Sequence, residues 1–492
     1  MTAVISTAAP DLLDSPDAGV AAIRGGALRI GGYVVGIGAS VGSSALLLRH
    51  LGVTATGDYV TVMSLIALAG GVTETGLAAM GVRELSTLAP AFARGFFRSL
   101  FGLRLLLVFA GILVAVAIAF LSGYSSTLVL GTVLAGGGLV LMTTQTTYAL
   151  PLTTRLRLDW VTAMELVRQM GMAAVIVALV LTDAPLLAFW AAAIPAGLAA
   201  TVLGALLIRR SMPLLPAFDR AVWRPLLRQT MPYSLAAAVG AIYFRLAILI
   251  MSHVASGQQT GYFAASFRII EVLFTIPQLL VGSTLPIFAR AARDDRLRLD
   301  FALGRTFEVC LLLGLAVGLS LVTGATFAIA VIAGPKFAPA ASVLRIQGFA
   351  LIATFVGALL GYALLSLGRY REVLLINLAA LLLSGLLTGV LASRFGAVGA
   401  ASATTTVEVL YTAMLAFAVL RAGTRPTISL TRVPRAVLSA LLGALALVPP
   451  DLPSVARPVL ALSIYCACLI ALKALPSELL DQIPRPRRRP AS

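Results

Sequence analysis

The chain is cut into fourteen apolar stretches, most of them about 20 residues long, the length a helix needs to cross the hydrocarbon core of a bilayer. They fall near residues 28–48, 59–81, 99–121, 127–149, 161–182, 186–208, 231–253, 261–285, 307–331, 344–366, 373–393, 398–420, 434–449 and 457–475. Lipid cannot pair with backbone N–H and C=O groups, so stretches of this kind are confined to helices that satisfy themselves. Composition agrees: 59% of the 492 residues are hydrophobic and 12% are charged, where a soluble domain has about 25% charged residues. The expected fold is an all-α polytopic membrane protein of about 14 transmembrane helices.

Charge placement orients these spans. With the N-terminus on the cytoplasmic side, alternate connections hold 28 of the 37 Lys and Arg residues and the opposite connections hold 4. Five lie inside spans. An excess of this size that survives fourteen alternations follows the positive-inside rule, and puts both termini in the cytoplasm. The net charge of +17 is thus a topological signal and not a nucleic-acid footprint. The segment 1–26 carries Asp11, Asp14 and Asp17 and no basic leader, so the first span is expected to remain in the mature chain. The arginine- and proline-rich tail from Pro484 to Pro490 suits anionic membrane lipids.

A repeat divides the spans. Tyr148-Ala149-Leu150, a four-residue gap and Arg155-x-Arg157 recur as Tyr362-Ala363-Leu364, a gap of the same length and Arg369-x-Arg371. Each copy ends a span, the fourth and the tenth. Six is an even number of crossings, so the halves are expected to run parallel, related by an axis along the membrane normal. His50 with Gly57-x-Tyr59, and His253 with Gly261-Tyr262, form a second correspondence. Both histidines are expected in solvent at the outer surface. The expected organisation is a cytoplasmic tail at 1–26, an N-terminal lobe of six helices at 27–208 and a basic linker at 209–230. A C-terminal lobe of six helices follows at 231–421, then two appended helices within 422–475 and a basic tail at 476–492.

Enzymatic chemistry finds no support. Cys310, Cys466 and Cys468 have no metal-ligand or disulfide spacing, and no phosphate loop, zinc motif or nucleophile elbow stands out. No cofactor is implied. What needs a reason is charge inside the spans, where each ionised group costs roughly 2.5–3.5 kcal/mol on insertion scales. Arg268 and Glu271 lie i, i+3 on span 8, and Glu165 and Arg168 do so on span 5, so each pair can neutralise itself on one face. Arg245 lies deep in span 7 beside Tyr243; Glu74 lies in span 2, and Glu408 lies near the middle of span 12 without a local partner. Arg245, Arg268, Tyr243 and Glu271 are the candidates to line a cationic substrate site. Glu74, Glu165, Arg168 and Glu408 are candidate coupling or structural charges, with a proton or sodium as the coupling ion. Arg104 is expected to snorkel to the cytoplasmic headgroups, and Glu308 and Arg345 to act as interfacial anchors. Pro195 and Pro277 should bend spans 6 and 8.

One stretch carries a family resemblance: Ile242-Tyr243-Phe244-Arg245, then Gly261-Tyr262-Phe263-Ala264-Ala265-Ser266-Phe267-Arg268-Ile269-Ile270-Glu271, then Ile276-Pro277 and Leu285-Pro286. Gly368-Arg369-Tyr370, Asn377 and Gly396-x-x-Gly399-Ala400-Ala401 add to it. Over roughly residues 27–421 the chain resembles the Wzx-type oligosaccharide flippases, the polysaccharide branch of the multidrug/oligosaccharidyl-lipid/polysaccharide exporters. That family often has an acid just after the span 7 arginine, where this chain has Leu246 and Ala247. The resemblance implies a MATE-like, V-shaped bundle in the bacterial inner membrane, alternating between its two sides. The substrate it implies is an undecaprenyl-pyrophosphate-linked glycan, with a polysaccharide polymerase and glycosyltransferases as possible partners. Arginine forks at Arg245 and Arg268 suit the pyrophosphate oxygens. Three other readings stay open: a multidrug/cation antiporter of the same superfamily, the lipid II flippase of peptidoglycan synthesis, and a non-transporting membrane subunit.

Overall fold

The computed structural model describes residues 18–74, 76–282, 284–447, 449 and 452–474. It is all-helical, with no strand among the described residues. Among the described residues, fifteen α-helices follow in order: α1 (Ala18–Glu74), α2 (Leu77–Thr87), α3 (Pro90–Leu121), α4 (Ser126–Thr154), α5 (Leu158–Leu181), α6 (Leu186–Ala191), α7 (Ala193–Ile208), α8 (Arg220–Val254), α9 (Gly257–Gly282), α10 (Leu285–Asp294), α11 (Arg296–Ile332), α12 (Ala340–Ser366), α13 (Tyr370–Arg421), α14 (Arg432–Ala444) and α15 (Ala456–Ala471). Among the described residues, nine helical segments are long and apolar enough to cross a membrane.

All fourteen expected spans find a helix. α1 and α13 each carry two, joined at Gly52 (φ 72°) and Gly396 (φ 58°), backbone conformations that favour glycine. After Gly396 the chain restarts as a helix because the Gln259 side chain accepts the Ala397 N–H at 2.9 Å. Span 6 is split into α6 and α7 at Ala192. Pro195 is the cause, since it has no N–H for the Ala191 carbonyl. α9 continues through Pro277. The expected span 2 is shorter than 59–81, because α1 stops at Glu74 and Gly76 (φ 83°) starts the separate α2. The terminal tails, residues 1–17 and 475–492, lie outside the described residues.

The chain packs as two compact units, one of Met1–His50 with Ala69–Ser234 and one of Leu51–Leu68 with Leu235–Ser492. In the first, Phe97, Leu100, Phe101, Tyr148, Met164 and Trp223 form a common core. The basic linker belongs to this unit and is ordered against it. Ala217 N–H donates to Arg98 O at 2.9 Å, Tyr148 Oη donates to Leu214 O at 3.0 Å and Trp223 Nε1 donates to Ser99 O at 2.7 Å. The helix that carries span 7 therefore begins earlier than residue 231. Asp219 accepts the Ala221 N–H at 2.9 Å and α8 starts at Arg220.

The second unit repeats the device with different residues. Thr427 N–H donates to Asp300 O at 3.1 Å, as Ala217 does to Arg98. Gly304, like Gly102, has the loop backbone where a Cβ would stand. The turns at the repeated element are duplicated too, but in another register. Arg157 N–H bonds Leu152 O after Leu156 (φ 55°), and Arg369 N–H bonds Leu364 O after Gly368 (φ 72°), both at 2.9 Å. The equivalent arginines are thus Arg157 and Arg369, and not Arg155 and Arg369 as the sequence match suggests.

Apolar burial gives little drive in lipid, so close packing of small residues carries helix association. Gly314 and Gly318 of α11 meet α12, where a Cβ on Gly318 would stand 2.9 Å from Gly348 O. α14 and α15 are fastened to α11 by polar contacts. Tyr465 Oη donates to Leu312 O at 3.0 Å. Glu308 is buried, paired with Arg305 at 3.1 Å and Arg432 at 3.0 Å, and accepts the Ser429 N–H at 3.3 Å. Glu308 is therefore a buried junction and not an interfacial anchor.

Candidate functional site

Two polar clusters lie within the second unit, both on helices whose sequence is otherwise apolar. The first joins α8 to α9. Arg245 and Arg268 converge on one carboxylate: Arg245 reaches Glu271 Oε1, and Arg268 Nη1 donates to Oε2 at 2.6 Å. The i, i+3 spacing places Arg268 and Glu271 on one face of α9. Arg245 is set against aromatic rings, its Cζ 5.6 Å from the Phe244 centroid and 5.4 Å from that of Phe267. Phe244 in turn packs on Phe267 and Phe274 at 5.1 and 4.8 Å. Arg245 and Glu271 side chains are 17% and 21% exposed, whereas Arg268 is 38% exposed. Two cations and one anion give these three side chains a formal charge of +1. At 1.5 Å per residue, Arg268 stands about 16 Å from the α9 N-terminus, near mid-membrane for a spanning helix.

The second cluster surrounds Glu408. Tyr243 Oη donates to Glu408 Oε2 at 2.7 Å, and Thr354 Oγ1 lies 2.9 Å from Oε1. Thr354 Oγ1 also lies 3.0 Å from Ala350 O. A hydroxyl has one proton, so Thr354 can donate to the carboxylate or to the carbonyl. With Glu408 ionised, it donates to Oε1. With Glu408 protonated, Oε1–H donates to Thr354, which then donates to Ala350 O. Either protonation state is satisfied by rotation of one hydroxyl. Next to it, Tyr411 Oη donates to Asn377 Oδ1 at 3.0 Å, and the Tyr243 and Tyr411 rings lie 5.8 Å apart.

The remaining candidates lie elsewhere. Glu165 is bonded to Arg168 and Gln169 on α5, and Gln169 packs against Gly36 of α1. That pair neutralises itself within the first unit. Glu74 ends α1, and its side chain lies outside the described ones. Arg104 is not at a headgroup surface. It is 1% exposed, with Nη1 donating to Thr147 at 2.8 Å and Nη2 to Thr146 at 2.9 Å. His50 is not in bulk solvent either. Its ring is 14% exposed, 5.2 Å from the Phe189 ring, with Nε2 3.1 Å from Ala184 O. Arg345 donates to Thr326 at 3.0 Å.

Known structures share this helical arrangement. The chain superposes on a lipid II flippase MurJ in an inward closed conformation with a TM-score of 0.75, at 12% identity, over 93% of this chain and 100% of that one. It superposes on an inward-facing multidrug resistance MATE family transporter of the MOP superfamily with a TM-score of 0.62, at 13% identity, over 78% and 94%. A MOP superfamily transporter from Pyrococcus furiosus, described by a binding pocket of reverse polarity, gives 0.56 at 14% identity, over 82% and 95%. The chain shares the fold of these solved structures. No family model matches the sequence, and no curated protein matches it. The likeness is therefore one of fold, and the substrate has to be argued from this chain's own residues.

Sequence reading did not find Thr354 or Tyr411 as partners of the acidic cluster. The signal available was weak: a threonine, a tyrosine and Asn377 on three apolar segments, with nothing to say that those segments meet.

Proposed function

We propose that the chain is a membrane flippase that carries an undecaprenyl-pyrophosphate-linked oligosaccharide from the cytoplasmic to the outer leaflet of a bacterial inner membrane, for cell-surface polysaccharide synthesis. The observation that carries this reading is the convergence of Arg245 and Arg268, from two helices, in a cationic cluster at mid-span depth. Cationic groups at that depth are costly unless they meet anions during function. Guanidinium forks match phosphate oxygens two at a time. A cationic drug would be repelled by the same cluster, which weighs against a multidrug antiporter. Glu408, poised to hold or release a proton, is assigned the coupling role, and flipping then needs only two conformations and this bias.

The lipid II flippase is the second reading, favoured by the extent of the likeness to MurJ. Both readings share a lipid-linked pyrophosphate and differ in the glycan. The test is Arg245→Ala and Arg268→Ala in the native host, assaying surface glycan together with lipid-linked intermediates on each leaflet. Loss of surface glycan with intermediates retained on the inner leaflet is expected. Accumulated peptidoglycan precursor with lysis would favour the second reading. Unchanged export in both variants would remove the arginines from the site, and a drug-resistance phenotype alone would favour the antiporter.

A further inference from the structure

The arginine cluster contains a carboxylate that a simple anion site would do without. We propose that Glu271 is a resident counter-ion that the incoming headgroup must displace from Arg268, and that this exchange makes the site select diphosphate over monophosphate groups. The inference rests on the phosphate-binding reading above and assigns Glu271 a role opposite to that of its neighbours.

Both oxygens of Glu271 are engaged, Oε1 by Arg245 and Oε2 by Arg268. An anion that approaches either guanidinium along its carboxylate-facing edge therefore competes with Glu271. The two arginines are not equally able to exchange. Arg245 is 17% exposed and packs beside the Phe244 and Phe267 rings, so its position is fixed by packing. Arg268 is 38% exposed and shares a helix turn with Glu271. Exchange at Arg268 leaves the carboxylate on Arg245, so Glu271 is never stranded without a cation. This asymmetry supplies a path for displacement that keeps every charge paired.

Selection follows from the tether. Glu271 is held one helical turn from Arg268, so its effective concentration at that guanidinium is at least in the millimolar range. A monophosphate monoester resembles the carboxylate in size and offers one group to one fork, and it competes poorly at ordinary concentrations. A diphosphate offers two linked groups. One takes the freed edge of Arg268, and the second accepts from an N–H of Arg245 other than the Nη2 that Glu271 holds. Two linked contacts outcompete one tethered contact where one would not. A neutral lipid cannot open the pair at all.

The experiment uses the full-length protein in lipid nanodiscs with inorganic pyrophosphate and inorganic orthophosphate as probes, by calorimetry at constant ionic strength. The wild type should bind pyrophosphate at least about 10-fold tighter than orthophosphate, and Glu271→Gln should tighten orthophosphate about 10-fold and bring the ratio below about 3. Glu271→Asp keeps the charge but shortens its reach, so its ratio should fall between the two; it also serves if the glutamine variant does not fold. An unchanged ratio in both variants would overturn the proposal. So would weaker binding of both anions in Glu271→Gln, which would make Glu271 a support that holds the arginines in place. If wild type binds neither anion, or binds both and Arg268→Ala changes neither, the phosphate-binding reading falls and this inference falls with it. With wild-type binding intact, a ratio that does not fall in the variants sinks the counter-ion role and leaves the phosphate-binding reading standing.

Discussion

At the scale of single residues, Glu408 shows how a half-buried acid can be held without a cation. Its oxygens face Tyr243 and Thr354, and the Thr354 hydroxyl can turn between Glu408 and Ala350 O. Glu408→Gln keeps the shape and one acceptor but cannot exchange a proton. The expected outcome is a folded protein, destabilised by no more than about 1 kcal/mol, whose transport no longer responds to an imposed pH gradient in proteoliposomes. Tyr243→Phe removes one donor and should weaken transport while keeping the pH response. A glutamine variant that still follows the gradient would take the coupling role from Glu408. The depth of Glu408 was legible in the sequence because fourteen spans can be counted around it. Its partners were not. Hydroxyls on α8 and α12 become neighbours of an acid on α13 only through helix packing, which apolar stretches do not encode.

At the scale of elements, glycines decide where helices can touch. The 51–68 segment of α1 crosses α9 at Gly57 and Gly261, the two glycines that the sequence offered as a repeat. A Cβ on Gly261 would stand 2.7 Å from Val53 C and 2.8 Å from Val53 Cγ1. Gly261→Ala gains helix propensity but must push backbone aside, so a net loss of about 1–3 kcal/mol is expected. Gly240 of α8 has nothing within 4 Å of such a Cβ. Gly240→Ala should therefore be neutral or stabilising by up to about 1 kcal/mol. Thermal unfolding of both variants in one detergent checks the contrast; equal shifts would mean that the crossing is not tight. Glu308 is a second junction, where one buried acid holds Arg305 of α11 and Arg432 of α14. Glu308→Ala leaves both arginines without it and should cost about 3 kcal/mol, with faster proteolysis between α13 and α14 as the local readout. That role was not legible, because Glu308 reads as an ordinary charge near a span end. The repeat was legible in outline and misread in register. Tyr-Ala-Leu pairs Arg155 with Arg369, but the hydrogen-bonded turns pair Arg157 with Arg369, since backbone geometry and not side-chain identity defines the turn.

At the scale of the whole molecule, helix count and charge placement carry the argument. Spans were legible because lipid imposes one length and one secondary structure on them. Orientation rests on the excess of 28 Lys and Arg in alternate connections over 4 in the others. The structure supplies exposed positions at which to check it. Asp183, 98% exposed, follows α5. Arg394 precedes the Gly396 kink, and Arg290 and Arg371 lie in connections of the opposite class; all three are exposed. With Cys310, Cys466 and Cys468 replaced by alanine, single cysteines can be placed at these four sites. A membrane-impermeant maleimide applied to intact cells should label Asp183→Cys and Arg394→Cys. Arg290→Cys and Arg371→Cys should react only after the membrane is opened. Asp183 lies in the first half of the chain and the other three in the second. A register error of one span between the halves would therefore set Asp183 on the side of Arg290 and Arg371. Labelling of Asp183→Cys and Arg371→Cys to the same extent in intact cells would break the alternation, and with it the parallel orientation expected of the repeats from the sequence. Charge sets this orientation during insertion. A variant with Arg209, Arg210, Arg220, Arg224 and Arg228 neutralised should therefore label heterogeneously at Asp183→Cys, the nearest reporter expected on the outer side before that linker.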